Sequence, residues 1–86
     1  MEIIGIERVD YVSRKNNRPV KGYTFYCIGV KSAIIGGGFC EIYFVNDDNV
    51  KSLLDTVNGD ISALIGVEVR PYRNKFGDVE QLDRLG

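Results

Sequence analysis

Two groups of basic residues are the side chains in this sequence best equipped for chemistry. From Tyr11 to Lys31 the chain carries Arg14, Lys15, Arg18, Lys21 and Lys31 with no acid, and from Arg70 to Gly77 it carries Arg70, Arg73 and Lys75, again with no acid. Between them, Glu41 to Asp60 holds five acids (Glu41, Asp47, Asp48, Asp55, Asp60) and one Lys. Clustered guanidinium and ammonium groups suit phosphate oxygens, because each N–H donates a charge-assisted hydrogen bond. The net charge of −1 and the pI near 5.3 argue mildly against a polyanion binder. Segregated charge nevertheless allows a local positive field on a nearly neutral protein.

Aromatic side chains lie close to both groups. Tyr23, Phe25, Tyr26, Tyr43, Phe44, Tyr72 and Phe76 are available as flat surfaces on which bases stack. Tyr72 and Phe76 flank the second basic turn, where burial is harder to arrange than in a strand. Within residues 20–30, alternation separates Tyr23, Phe25 and Cys27 from Thr24, Tyr26 and Ile28. One of those sets belongs to the core and the other does not.

Other chemistries find no support. The chain has no histidine, no activated Ser or Cys constellation and no carboxylate pair spaced for general acid–base work, so no catalytic residue is expected. Two cysteines without histidine do not make a metal site. Cys27 and Cys40 read as reduced, buried small hydrophobes that could come near each other if their segments pair. Gly36-Gly37-Gly38 lacks the following Lys-Ser/Thr and helix of a phosphate cradle and reads as a flexible connection. Asn46, Asp47 and Asp48 are adjacent rather than alternating, which excludes a calcium loop. No cofactor is expected.

These residues need elements to position them. Residues 2–13 read as a long strand with Gly5 as a bulge or bend. Arg14 to Pro19 is a hairpin turn, since Asn16-Asn17 tolerates left-handed backbone and Pro19 cannot donate to a central ladder. Residues 20–30 and 39–45 form the second and third strands. Asn46-Asp47-Asp48 caps a helix over about 48–57, whose apolar face is Val50, Leu53, Leu54 and Val57, and Asn58-Gly59 stops it. Residues 60–65 are ambiguous between a helical turn and a loop. A fourth strand runs from Gly66 through Tyr72, Arg73 to Gly77 turns, and Asp78 to Leu85 is the fifth.

The 86 residues suffice for one domain, 1–86. No apolar run reaches the roughly 18–20 residues of a membrane span. The N-terminus begins acidic and alternates, unlike a signal peptide, which points to the cytoplasm. The class is mainly β, and the order strand-strand-strand-helix-strand-strand matches a five-stranded OB-like barrel better than a sandwich or an SH3-like barrel. OB folds take oligonucleotides on strands two and three, between the loops joining strands one to two and four to five. In this chain those loops are the two acid-free basic turns.

Ser13-Arg14-Lys15-Asn16-Asn17-Arg18-Pro19 followed by Tyr23 resembles the DNA-binding loop of the filamentous-phage gene V type single-stranded DNA-binding proteins. Val69 through Tyr72, the basic turn with Phe76-Gly77, and Leu82-Asp83-Arg84-Leu85 are similar to the end of those chains. The resemblance covers about half of the chain in two blocks. It implies an OB-like homodimer that coats single strands without sequence preference during replication of a phage or mobile element. It places Arg14, Arg18 and Lys21 on phosphates and offers Tyr23 and Phe76 for stacking. The candidate interface is thus Arg14, Lys15, Arg18, Lys21, Tyr23, Arg70, Tyr72, Arg73, Lys75 and Phe76, with single-stranded DNA, or RNA, as partner. A small barrel that docks proteins is the alternative, and net acidity with nine aromatics suits it equally.

Overall fold

A computed structural model describes residues 1–29 and 38–85. Strands β1 (Glu2–Val12), β2 (Pro19–Gly29) and β3 (Phe39–Asn46) form one antiparallel sheet in that order. Helix α1 (Asp47–Asp55) and a single 3-10 turn, η1 (Ile61–Leu64), follow, and β4 (Val69–Arg73) pairs with β5 (Val79–Arg84) in a second sheet. Most of the glycine triplet expected to connect β2 to β3 lies outside the described residues.

The mainly β class, the strand order and the single short helix are as the sequence predicts. Among the described residues a closed barrel is not found. The start of β1 bonds to the segment before β4 through a Glu2–Glu68 bridge, with Ile3 N–H donating to the Val67 carbonyl at 3.0 Å and Val69 N–H to the Met1 carbonyl at 2.7 Å. At the other end of the arrangement β5 packs beside β3, but the two strands share no ladder. Gly66, at φ 86°, turns the chain sharply before β4, so the strand begins at Val69 instead of Gly66 and pairs with β1 over a short stretch. The strands therefore make two linked sheets open between β3 and β5.

The core lies between them. Ile3, Phe25, Cys27, Tyr43 and Val45 from the larger sheet meet Val50 and Leu53 of α1, Leu64 of η1, Val69 of β4 and Leu82 of β5. Full burial of such side chains contributes about 1.5–3 kcal/mol each. The predicted helix face is the observed one, with Val50 and Leu53 buried and Leu54 and Val57 packed at the margin. Asn46 caps α1 by accepting from Asn49 N–H at 2.8 Å; the helix ends at Asp55 with Thr56 as its C-cap, two residues short of the expected end, and Asn58 and Gly59, at φ 54° and 81°, turn the chain after it. The ambiguous segment resolves into η1 because Asp60 accepts from Ser62 N–H at 3.2 Å and Leu64 is drawn into the core.

Phe25 and Cys27 are fully buried, so the alternating set Thr24, Tyr26 and Ile28 lies on the outer face. The register continues this division across the sheet. Cys27 stands opposite Glu41 and Ile28 opposite Cys40. The two thiols are thus on opposite faces. Cys27 is buried as expected and its pKa is pushed up by that burial, whereas Cys40 is exposed. The two segments do pair, in a register that sets the thiols on opposite faces of the sheet. Among the described residues no helix is long and apolar enough to cross a membrane.

Candidate nucleic-acid interface

The outer face of the larger sheet is unusual in what it exposes. Ile42 and Phe44 on β3 are 63% and 41% exposed, and Ile28 on β2 reaches 36%. Tyr26, half-buried, stands opposite Ile42, and Thr24 stands opposite Phe44. Two glycines shape the aromatics. A methyl group added at Gly22 would lie 2.9 Å from a Phe44 ring carbon, and one added at Gly5 would lie 3.4 Å from a Tyr26 ring carbon. Each ring thus leans across the strand next to its own onto a residue without a side chain. Both lean toward β1.

Two hollows open beside Phe44. One is lined by Val20, Lys21, Phe44 and the start of α1 at Asn46, Asp47 and Asp48, together with Pro19. The other runs along the β3 edge past Glu41, Ile42, Phe44, Arg73 and Asp78. Each holds one basic side chain, Lys21 in the first and Arg73 in the second. The acids are partly engaged: Asp47 is paired with Arg8 at 2.6 Å, and Glu41 accepts from the Tyr43 hydroxyl at 3.3 Å. Burial and the neighbouring Glu41 push the Tyr43 pKa up.

Both basic turns are built as hairpins. β1 and β2 pair over their whole lengths, but β3 joins only from Gly22 onward. Asp10 to Lys21 therefore forms a two-stranded arm reaching past the sheet. At its tip Asn17 takes φ 55°, as the sequence predicts for Asn-Asn, and Arg18 N–H donates to Asn16 Oδ1 at 3.1 Å. Arg14, Lys15 and Arg18 are all exposed there. The β4–β5 turn is organised by Asn74, whose Oδ1 accepts from Phe76 and Asp78 N–H at 2.9 and 3.1 Å. Phe76 is 77% exposed, with Lys75 Nζ 5.1 Å from its ring centroid, and Arg73 donates to the Gly77 carbonyl at 3.0 Å.

The structure thus gathers Arg14, Lys15 and Arg18 at one tip and Arg73, Lys75 and Phe76 at the other, with Lys21 at the base of the arm. Three candidates stand elsewhere. Tyr23 belongs to the core-facing set, half-buried, its ring centroid 6.3 Å from that of Phe25 and Arg8 stacked 4.9 Å above it. Arg70 and Tyr72 stand opposite Asp83 and Gln81, on the side of the β4–β5 sheet away from buried Val69 and Leu82. The residues missing from the sequence-derived interface are Tyr26, Ile42 and Phe44. Alternation separates Tyr26 from Tyr23, and the signal that would have chosen between them is Gly5 and Gly22, the empty positions that receive the rings.

Comparison with known protein families, with characterised proteins and with solved structures finds no match to this chain.

Proposed function

We propose that this protein binds single-stranded nucleic acid, with DNA as the first candidate, across the outer face of β2 and β3. The observation carrying the reading is the placement of Tyr26 and Phe44 on that face, with Lys21 and Arg73 in the two hollows that meet at Phe44. Aromatic rings give sequence-tolerant stacking, and flanking cations take the phosphates on either side. The two basic hairpin tips extend the same track. The fold is read as an open OB-like barrel: β1 meets β4, β5 lies beside β3, and α1 follows β3, with the basic turns in the two loops that flank an OB ligand. The homodimer, and a role in coating strands during replication of a phage or mobile element, belong to the same proposal and rest on the resemblance of the two hairpin segments.

Titration of a fluorescently labelled oligo-dT at low salt, repeated with duplex and at higher salt, tests it. Binding should favour the single strand and weaken with salt. Phe44→Ala and Tyr26→Ala should each weaken it by about 1–3 kcal/mol with little change in salt dependence. Lys21→Ala and Arg73→Ala should each flatten the slope of log K against log salt by about 0.7. Folded protein that ignores single strands at low salt overturns the proposal.

A second reading has its own support. Glu41, Asp48 and Asp78 line the hollows beside the two cations, and Ile28 and Ile42 make the sheet face apolar. A docking module for another protein would use such a mixture. Washing through single-stranded DNA cellulose at low salt would favour it.

A further inference from the structure

Resting on the single-strand reading, we infer that Glu7 makes the outer face selective for bases that offer an exocyclic amine: guanine, cytosine and adenine over thymine or uracil. The register places this carboxylate. Along β1, Gly5 stands opposite Tyr26, Glu7 opposite Thr24 and Val9 opposite Gly22. Tyr26 leans onto Gly5, and Phe44 leans onto Gly22. Glu7 and Thr24 therefore occupy the row between the two rings, on the face the rings cover. Strands lie about 4.8 Å apart, so a base stacked on either ring brings its edge within reach of the Glu7 side chain.

Glu7 is exposed, and among the described residues it makes no ion pair and no side-chain hydrogen bond. A negative charge between two stacking platforms works against a polyanion unless it has a partner in the ligand. An ionised carboxylate only accepts. Cytosine N4 and adenine N6 each present an amine to it, and guanine presents N1–H and N2–H side by side, which two carboxylate oxygens can take together. Thymine offers only N3–H, set between two carbonyl oxygens that repel the carboxylate. Acidic side chains read cytosine N4 in this way in duplex grooves, and unstacked single strands expose the same edges. The Thr24 hydroxyl, donor and acceptor, fits either class of base and adds no preference of its own.

The test compares oligo-dC, oligo-dA and oligo-dT of one length at neutral pH, with wild-type protein, Glu7→Gln and Glu7→Asp. Wild type should hold dC and dA at least about fivefold more tightly than dT. Glu7→Gln, whose amide both donates and accepts, should bring the ratios close to one. Glu7→Asp keeps the charge but withdraws it from the base edge, and should also lose most of the preference. Equal wild-type affinity for the three strands overturns the inference. So does a Glu7→Gln protein that gains the same factor on every strand and leaves the ratios unchanged, which would make Glu7 a repulsive charge alone. Failure to bind any strand overturns the single-strand reading itself, a separate result.

Discussion

At Gly22 the backbone of β3 passes so close that a methyl group would sit 2.3 Å from the Val45 carbonyl oxygen and 2.8 Å from the Asn46 Cα. Neither atom belongs to a flexible side chain, so an added methyl must push the strands apart. Gly5 is different: its nearest neighbours would be Tyr26 side-chain atoms at 3.4 to 3.7 Å, ordinary contact. Gly22→Ala is therefore expected to destabilise the fold by about 1–3 kcal/mol, as overpacking does. Gly5→Ala should stay within about 0.5 kcal/mol of wild type, the range of substitutions without steric conflict. Thermal or urea melts of the two variants read the contrast. Equal losses would mean that Gly22 is not the point of close approach. The same pair also probes the interface, because filling Gly22 displaces the Phe44 ring on which the stacking argument depends.

The arm illustrates what an element contributes beyond its residues. Asp10 to Lys21 pairs only with itself, and Tyr11 and Val12 are 56% and 62% exposed, so its tip lends little to the core. Replacing Arg14, Lys15 and Arg18 together by alanine should leave the melting temperature near that of wild type. The same variant should flatten the salt dependence of single-strand binding by about 2, three cations at about 0.7 each. An unchanged slope would remove the arm from the binding track. The first hairpin, its Asn17 turn and the face of α1 were legible because each is a local pattern: turn chemistry at Asn16-Asn17, a cap at Asn46, apolar spacing at Val50, Leu53, Leu54 and Val57. The choice between Tyr23 and Tyr26 was not, because alternation divides a strand into two faces without saying which one the second layer covers. That depends on where α1 and β5 pack, a long-range outcome. The openness between β3 and β5 was hidden for the same reason: strand count and order are local, whereas closure depends on how β4 leaves the Gly66 turn.

Across the whole molecule, charge is divided between the hairpin tips and the helix side, and one ion pair ties the two halves together. Arg8, on the inner side of β1, donates to both Asp47 carboxylate oxygens at 2.6 and 3.1 Å and to the Gly22 carbonyl at 3.3 Å while its guanidinium covers Tyr23. The sheet, the root of the arm and the first turn of α1 thereby share one cation. The hydrogen bond from Arg8 holds the Asp47 carboxyl below its ordinary value, and the same bond raises the Arg8 pKa further. The sign of the pH effect follows. A carboxyl whose folded pKa is depressed contributes stability in full above its unfolded value, about 3.9, and loses it as pH falls through the folded value. Arg8 stays charged throughout and adds no pH dependence in that range. Asp47→Asn should thus be less stable than wild type at neutral pH, and the gap should close as pH falls below the unfolded carboxyl value of about 3.9 and through the depressed folded one. Paired melts over that range measure it. A gap that persists at the acid end would show that Asp47 acts through more than its charge, since an asparagine keeps the size of the side chain but offers Arg8 one acceptor oxygen in place of two. If the gap closes, the charge of Asp47 carries the Arg8 tie between β1, the root of the arm and the start of α1, beside the hollow in which Lys21 and Phe44 meet.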